Sequence, residues 1–147
     1  MAVNIADMED AVIETLRGAL PYLRTCESLG EFMVGDLDGV VKLAPAVYVA
    51  YGGGEVHQLM NGVDDHIVEL AVIIVTRNAR GEIAARHGKA GEKGAYGIIV
   101  DVWQALSGNS CGGDMDPLAL KEVSPLYGEQ DLAIYAMRFS TRVRMRR

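Results

Sequence analysis

The sequence predicts an α+β domain, a mainly antiparallel sheet of about five strands with two principal helices packed on it. Three observations lead there. Segments 5–20 and 95–106 repeat apolar residues at helical spacing. Between and after them lie shorter stretches rich in β-branched and aromatic residues, bounded by glycine, proline and asparagine. The last segment, 132–147, alternates residue by residue, as a strand with two chemically different faces must.

In the first helix Ile5, Met8, Val12, Leu16 and Ala19 form one apolar stripe. Asn4 is placed as its N-cap, Asp7 and Glu9 suit the positive end of the helix dipole, and Pro21 closes it. Residues 22–28 alternate as a first strand. Residues 30–43 read as a connection with a short helical turn at 37–42. The strand 46–51 carries Val47, Tyr48, Val49 and Tyr51 and stops at Gly52-Gly53-Gly54. A long loop to Asn61-Gly62 precedes the strand 66–77. The centre of that strand, Leu70 to Val75, is apolar on both faces, so it belongs mid-sheet with cover on both sides.

Residues 78–94 lack a sustained apolar face and are too long for an ordinary connection, which predicts a mobile loop. Helix 95–106 follows, with Ala95, Ile98, Ile99, Val102, Trp103 and Leu106 on one broad core-facing side. A strand at 118–127, bulged near Pro125, and the terminal strand form a hairpin. The order is helix, three strands, helix, two strands, in one domain spanning 1–147.

The composition, half apolar and 23% charged, fits a globular fold rather than a disordered chain. Its longest apolar run is too short to span a bilayer, and the acidic start shows no secretory signal. Cys26 and Cys111 have no metal-type spacing and read as free thiols. Gly52-Gly53-Gly54 lacks the Lys-Ser/Thr of a phosphate loop and reads as a turn. Asp114 and Asp116 lack the further oxygen ligands of a calcium loop. His57, His66 and His87 show no ligand spacing and no partnership with a nucleophile. The expectation is therefore a protein without cofactor, metal or catalytic residues.

The charged residues carry more. In the terminal strand Ala133, Tyr135, Met137, Phe139, Thr141, Val143 and Met145 form one face. On the other, Leu132, Ile134 and Ala136 give way to Arg138, Ser140, Arg142, Arg144 and Arg146. The last ten residues hold five arginines and no acid; with them removed, the net charge of −6 becomes about −11. A second basic run comprises Arg77, Arg80, Arg86, Lys89 and Lys93. A charged edge strand that resists aggregation and a solvated loop would explain both segments blandly. The functional reading is a contact surface whose arginine forks pair carboxylates of an acidic neighbour, or meet DNA phosphates without reading sequence. Replacing Arg142, Arg144 and Arg146 together by Ser is then expected to leave the subunit folded and weaken assembly.

Four ordered stretches resemble the small tail-terminator, or neck, proteins of Mu-like contractile-tailed phages. They are Leu20-Pro21-Tyr22-Leu23-Arg24-Thr25 after the first helix and the strand from Ala44 to Gly53. The third runs from Arg77-Asn78-Ala79-Arg80-Gly81-Glu82 through Arg86-His87-Gly88 to Gly94-Ala95-Tyr96, and the fourth is Leu106-Ser107-Gly108. The resemblance implies a structural protein whose subunits form a ring, usually a hexamer. That ring caps the tail tube and joins tube and sheath protein to the head connector, in the virion neck after assembly in the host cytoplasm. It implies no catalytic residues. Another neck or head-completion protein, or a non-viral small-molecule binding domain with a pocket near Tyr48, Tyr51 and Trp103, are the alternatives.

Overall fold

The computed structural model describes residues 4–29, 44–78, 80–88, 93–112, 115–129 and 131–146. The helical turn predicted at 37–42, Lys89 and Asp114 lie outside the described residues. Helix α1 (Ile5–Ala19) begins where the Asn4 carboxamide accepts hydrogen bonds from the N–H groups of Ala6 (3.0 Å) and Asp7 (3.3 Å). It buries Met8, Val12, Ile13 and Leu16, while Ala19 of the predicted stripe faces water.

Strand β1 (Thr25–Ser28) is shorter than predicted, because Pro21 and Tyr22 form a turn. β2 (Ala46–Tyr51) follows a cis Ala44–Pro45 bond and runs parallel to β1, which makes the sheet mixed rather than wholly antiparallel. The predicted loop before Asn61-Gly62 contains another strand, β3 (Val56–Met60), which turns into β4 (Val63–Arg77). A short helix, α2 (Glu82–His87), interrupts the predicted loop 78–94, and α3 (Ala95–Leu106) has the predicted limits. β5 (Ala119–Glu129) and β6 (Leu132–Arg146) form the expected hairpin, with register shifts at Leu120/Glu122 and Pro125/Tyr127. The fold is therefore α+β with six strands and three helices among the described residues.

The strand order is β1-β2-β4-β6-β5, with β3 also on β4. β6 pairs with β4 along its whole length, from Val63 opposite Arg146 to Arg77 opposite Leu132. β2 and β3 must therefore share β4's other edge in succession. The chain passes between them at Gly52-Gly53-Gly54 without leaving β4, since Glu69 N–H donates to Gly53 O (2.8 Å) and Ile67 N–H to Glu55 O (2.7 Å). Gly54 has φ +139, and a Cβ there would lie 1.7 Å from Ile67 O, so only glycine fits this hand-over.

Both faces of the sheet's centre are buried, as the doubly apolar strand requires. Val68, Leu70, Val72 and Ile74 of β4 join Met137, Phe139 and Val143 of β6 under the helices. Ile73 and Val75 point to the back, where they cluster with Ala46, Tyr48, Leu132 and Ile134. None of the described helices is long and apolar enough to cross a membrane.

Candidate functional site

β6 divides the back of the sheet into two zones. Leu132 and Ile134 belong to the buried apolar cluster, and from Arg138 onward the same face is charged and open. The alternation in the sequence thus switches where the cover of the back face ends.

Most of these arginines already meet acids within the chain. Arg138 reaches Glu122 Oε2 on β5 (3.0 Å) and Glu69 Oε1 on β4 (3.5 Å). Arg142 Nε donates to Asp116 Oδ2 (3.1 Å), with its Nη1 3.9 Å from Asp65 Oδ2. Arg144 Nε donates to Asp65 Oδ1 (3.1 Å). The Asp65 side chain is only 9% exposed, whereas the arginines are about half exposed. Arg146, opposite Val63, makes no ion pair among the described residues. Since a guanidinium carries five N–H donors, Arg144 and Arg146 keep the most capacity for an outside partner. The register explains the pattern. Arg144 sits opposite Asp65, Arg142 opposite Ile67 and Arg138 opposite Ala71, so the β4 acids fall on the same face as the arginines.

The other predicted contact residues that are described do not join this surface. Arg77, at the far end of β4, donates to Asp131 Oδ2 (2.7 Å) and thereby holds that carboxyl below its usual pKa. Arg80 is exposed and makes no ion pair among the described residues. Arg86 lies on the helix side. Its Nε is 2.7 Å from Glu82 Oε1, off the line a hydrogen bond needs, and its Nη1 donates to the Tyr96 hydroxyl (3.3 Å). Hydrogen bonding to Tyr135 and to Arg86 lowers the Tyr96 pKa, and burial raises that of Tyr135.

Lys93 is anchored beside α3. Its Nζ is 2.5 Å from Asp101 Oδ2 and 4.9 Å from the centre of the Tyr22 ring, while the Tyr22 hydroxyl donates to the same carboxylate (2.5 Å). The Lys93 stem lies across Gly97, where a Cβ would come within 3.0 Å of Lys93 Cγ. Burial opposes the Asp101 charge, but Lys93 and Tyr22 together outweigh it and hold the carboxyl below its usual pKa of 3.8. Burial and the Asp101 partner push the Tyr22 hydroxyl far up. The basic residues therefore fall into separate groups, the β6 arginines on the back and Arg86 and Lys93 with the helices.

Trp103, expected in the core, is 48% exposed. Helix α3 buries Ala95, Ile98, Val102 and Leu106, and Tyr96, Val100 and Trp103 line a flank roughly a third of a turn away. The three aromatic residues considered for a pocket do not converge. Tyr48, opposite Ile73, lies in the back cluster, Tyr51, opposite Leu70, lies on the helix side, and Trp103 faces outward. The Tyr48 hydroxyl is buried without a hydrogen-bond partner among the described residues, and burial raises its pKa.

Each histidine has its own setting. His57 pairs with exposed Glu55, His66 is hydrogen-bonded to Tyr51 and to the Glu55 carbonyl, and His87 packs on the Tyr96 ring. No group of three or more potential metal ligands exists among the described residues. An open cleft of about 250 Å³ lies between the end of α1 and β1, lined by Arg17, Pro21 and Arg24 among others. Its Arg17 is already committed to the Cys26 carbonyl (2.9 Å) and to Glu14.

A family model described as Bacteriophage Mu, Gp37 matches residues 4–144, nearly the whole chain. No curated protein matches it.

Proposed function

Because the chain belongs to the Bacteriophage Mu, Gp37 family, which points to a virion-associated phage structural protein, we propose that it is a tail terminator. In this reading copies form a hexameric ring that caps the tail tube of a contractile tail, engages the sheath and offers the head connector a docking surface. The role is structural rather than catalytic.

The observation that carries this reading is the charged half of the back face. A ring requires heterologous contacts, in which one patch of a subunit meets a different patch of the next. Arg144 and Arg146 supply a basic patch with spare donors at the end of β6. The rest of the chain, about −11 in net charge before Arg138, supplies acids for such a contact. A contact with DNA in the channel is less well supported. Arg138, Arg142 and Arg144 are opposed by Glu69, Glu122, Asp116 and Asp65, which leaves little net charge to attract phosphates.

Electron microscopy of tails assembled without this protein tests the assignment. Tubes of uncontrolled length that fail to join heads are expected. Tails of normal length that join heads normally would refute it. Full-length tubes with intact sheaths that lack only the head would instead favour another neck protein.

A further inference from the structure

The two edges of the sheet carry different uncovered apolar surfaces. At one edge, the β3–β4 hairpin exposes every residue of β3, with Val56, Leu59 and Met60 exposed by 53%, 46% and 64%. Val56 lies opposite His66, on the helix side, and Met60 opposite Val63, on the back, so the hairpin is apolar on both sides. Such an element suits a groove better than a flat surface.

The other edge has a groove. The helices pack mainly over β1, β2, β4 and β6, and β5 is met near its end, where the Glu82 side chain of α2 lies against Gly128. On α3, Asp101 is tied to Tyr22 at the α1 side, whereas Tyr96, Val100 and Trp103 occupy the opposite flank. That flank is turned toward the outer strands, since the Tyr96 ring meets Tyr135 of β6 at 5.9 Å. Beyond β6, Val123 of β5 lies opposite Met137, on the same side of the sheet as the helices, and is exposed. An apolar trough thus runs between α3 and β5.

We propose that the β3–β4 hairpin of one copy seats in the α3–β5 trough of the next. This rests on the ring reading and names its subunit contact. The two surfaces lie on opposite edges of one sheet and are not alike, which is the condition for a head-to-tail ring. Charge agrees with the pairing. The hairpin brings Asp64 and Glu55, the latter 82% exposed and paired with His57, and the β5 edge brings Lys121, which has no ion pair among the described residues. A flexible methionine against tyrosine and tryptophan is also a favourable apolar contact.

Area decides when the contact forms. Half-exposed Tyr96, Val100 and Trp103 offer roughly 300 Å² at typical aromatic and aliphatic side-chain areas. A stable pair needs about 800 Å² from each partner. The trough therefore does not hold two free subunits together, and the contact forms where a closed ring repeats it on the tube.

The test is cross-linking in assembled tails. Leu59→Cys and Val123→Cys are placed together in a Cys111→Ser chain and treated with a short bismaleimide. Leu59→Cys with Asp10→Cys, on the outer side of α1, serves as the control. The expected result is a ladder of multiples of the 15.9 kDa chain for the first pair and none for the control. A second arm compares Met60→Asp and Trp103→Ala with the parent, and each is expected to lower ring occupancy on tubes at least tenfold while the free subunit melts normally. Visible rings with no ladder, or capture of Leu59→Cys by a different tail protein, would overturn this contact and leave the ring reading standing. Parent tails without any ring would overturn both.

Discussion

Replacing Arg144 by Ser should destabilise the free subunit, whereas the same change at Arg146 should not. The difference lies in Asp65, whose side chain is 9% exposed and whose close partner is Arg144 Nε at 3.1 Å. Leaving a buried carboxylate without its cation costs about 3–5 kcal/mol when the pair is fully buried. Arg144 is half exposed and Arg142 stays 3.9 Å from Asp65, so about 2 kcal/mol is expected. Arg146→Ser removes no ion pair among the described residues and should stay within about 0.5 kcal/mol of the parent. Removing Arg142 and Arg144 together strands Asp65 and should cost about 3 kcal/mol or more. The triple Ser variant that looks harmless in the sequence therefore weakens the fold itself, and Arg146→Ser is the cleaner probe of assembly. Urea unfolding followed by far-UV circular dichroism measures these differences. A double-mutant cycle with Asp65→Asn should return a coupling of about 1–2 kcal/mol. Equal stability of the Arg144→Ser and Arg146→Ser proteins, or no coupling to Asp65, would refute the reasoning.

Three further outcomes are expected. The Asp101 carboxyl has a folded pKa below its ordinary 3.8, so its stabilisation is present above that value and lost as pH falls through the lower folded value. The gap in melting temperature between the parent and Asp101→Asn, measured from pH 6 to pH 3, should be steady at first and close below about pH 4. Gly54→Ala should cost about 2 kcal/mol or more in urea unfolding, because its Cβ meets the Ile67 carbonyl at φ +139; Gly53→Ala, in open space at φ +82, should cost about 1 kcal/mol. Burial raises both thiols, Cys26 to about 11, but Cys26 is buried and Cys111 only partly so; a thiol reagent should therefore label Cys111 in the native protein and Cys26 only on unfolding.

Much of the fold is legible in local pattern. Helix α3, strand β2, the Asn4 cap and the bulged final hairpin follow from periodicity, propensity and turn chemistry. The differences arise where pairing is non-local. Nothing in residues 25–28 announces that β1 runs parallel to β2, since its partner lies across a long connection. β3 escapes notice because Val56-His57-Gln58-Leu59-Met60 has no clean alternation and faces water throughout, although Asn61-Gly62 is a strong hairpin signal. Helix α2 buries only Ala84 and Ala85, too little for an apolar stripe. Trp103 sits next in sequence to buried Val102, and a broad apolar helix does not disclose how much of its circumference a sheet can cover. Such a helix, apolar well beyond its core face, is the sequence feature on which the proposed subunit contact rests.

The arginine strand shows how register changes the meaning of a sequence pattern. In isolation, five positive charges without an acid imply an electrostatic patch that acts at a distance. Once β6 lies against β4 and β5, three of the arginines face Asp65, Glu69, Asp116 or Glu122 across 3.0–3.9 Å, and the long-range field largely cancels. What survives is short-range, the unused N–H groups of Arg144 and Arg146, which act only on a carboxylate brought close to them. A contact of that kind does not gather partners from solution. It selects the orientation of a neighbour that other surfaces have already brought into place. The apolar hairpin and trough are suited to bring the copies together, and the arginine forks to set their angle. Ring closure depends on that angle, because a small constant error between subunits turns a closed ring into an open helix.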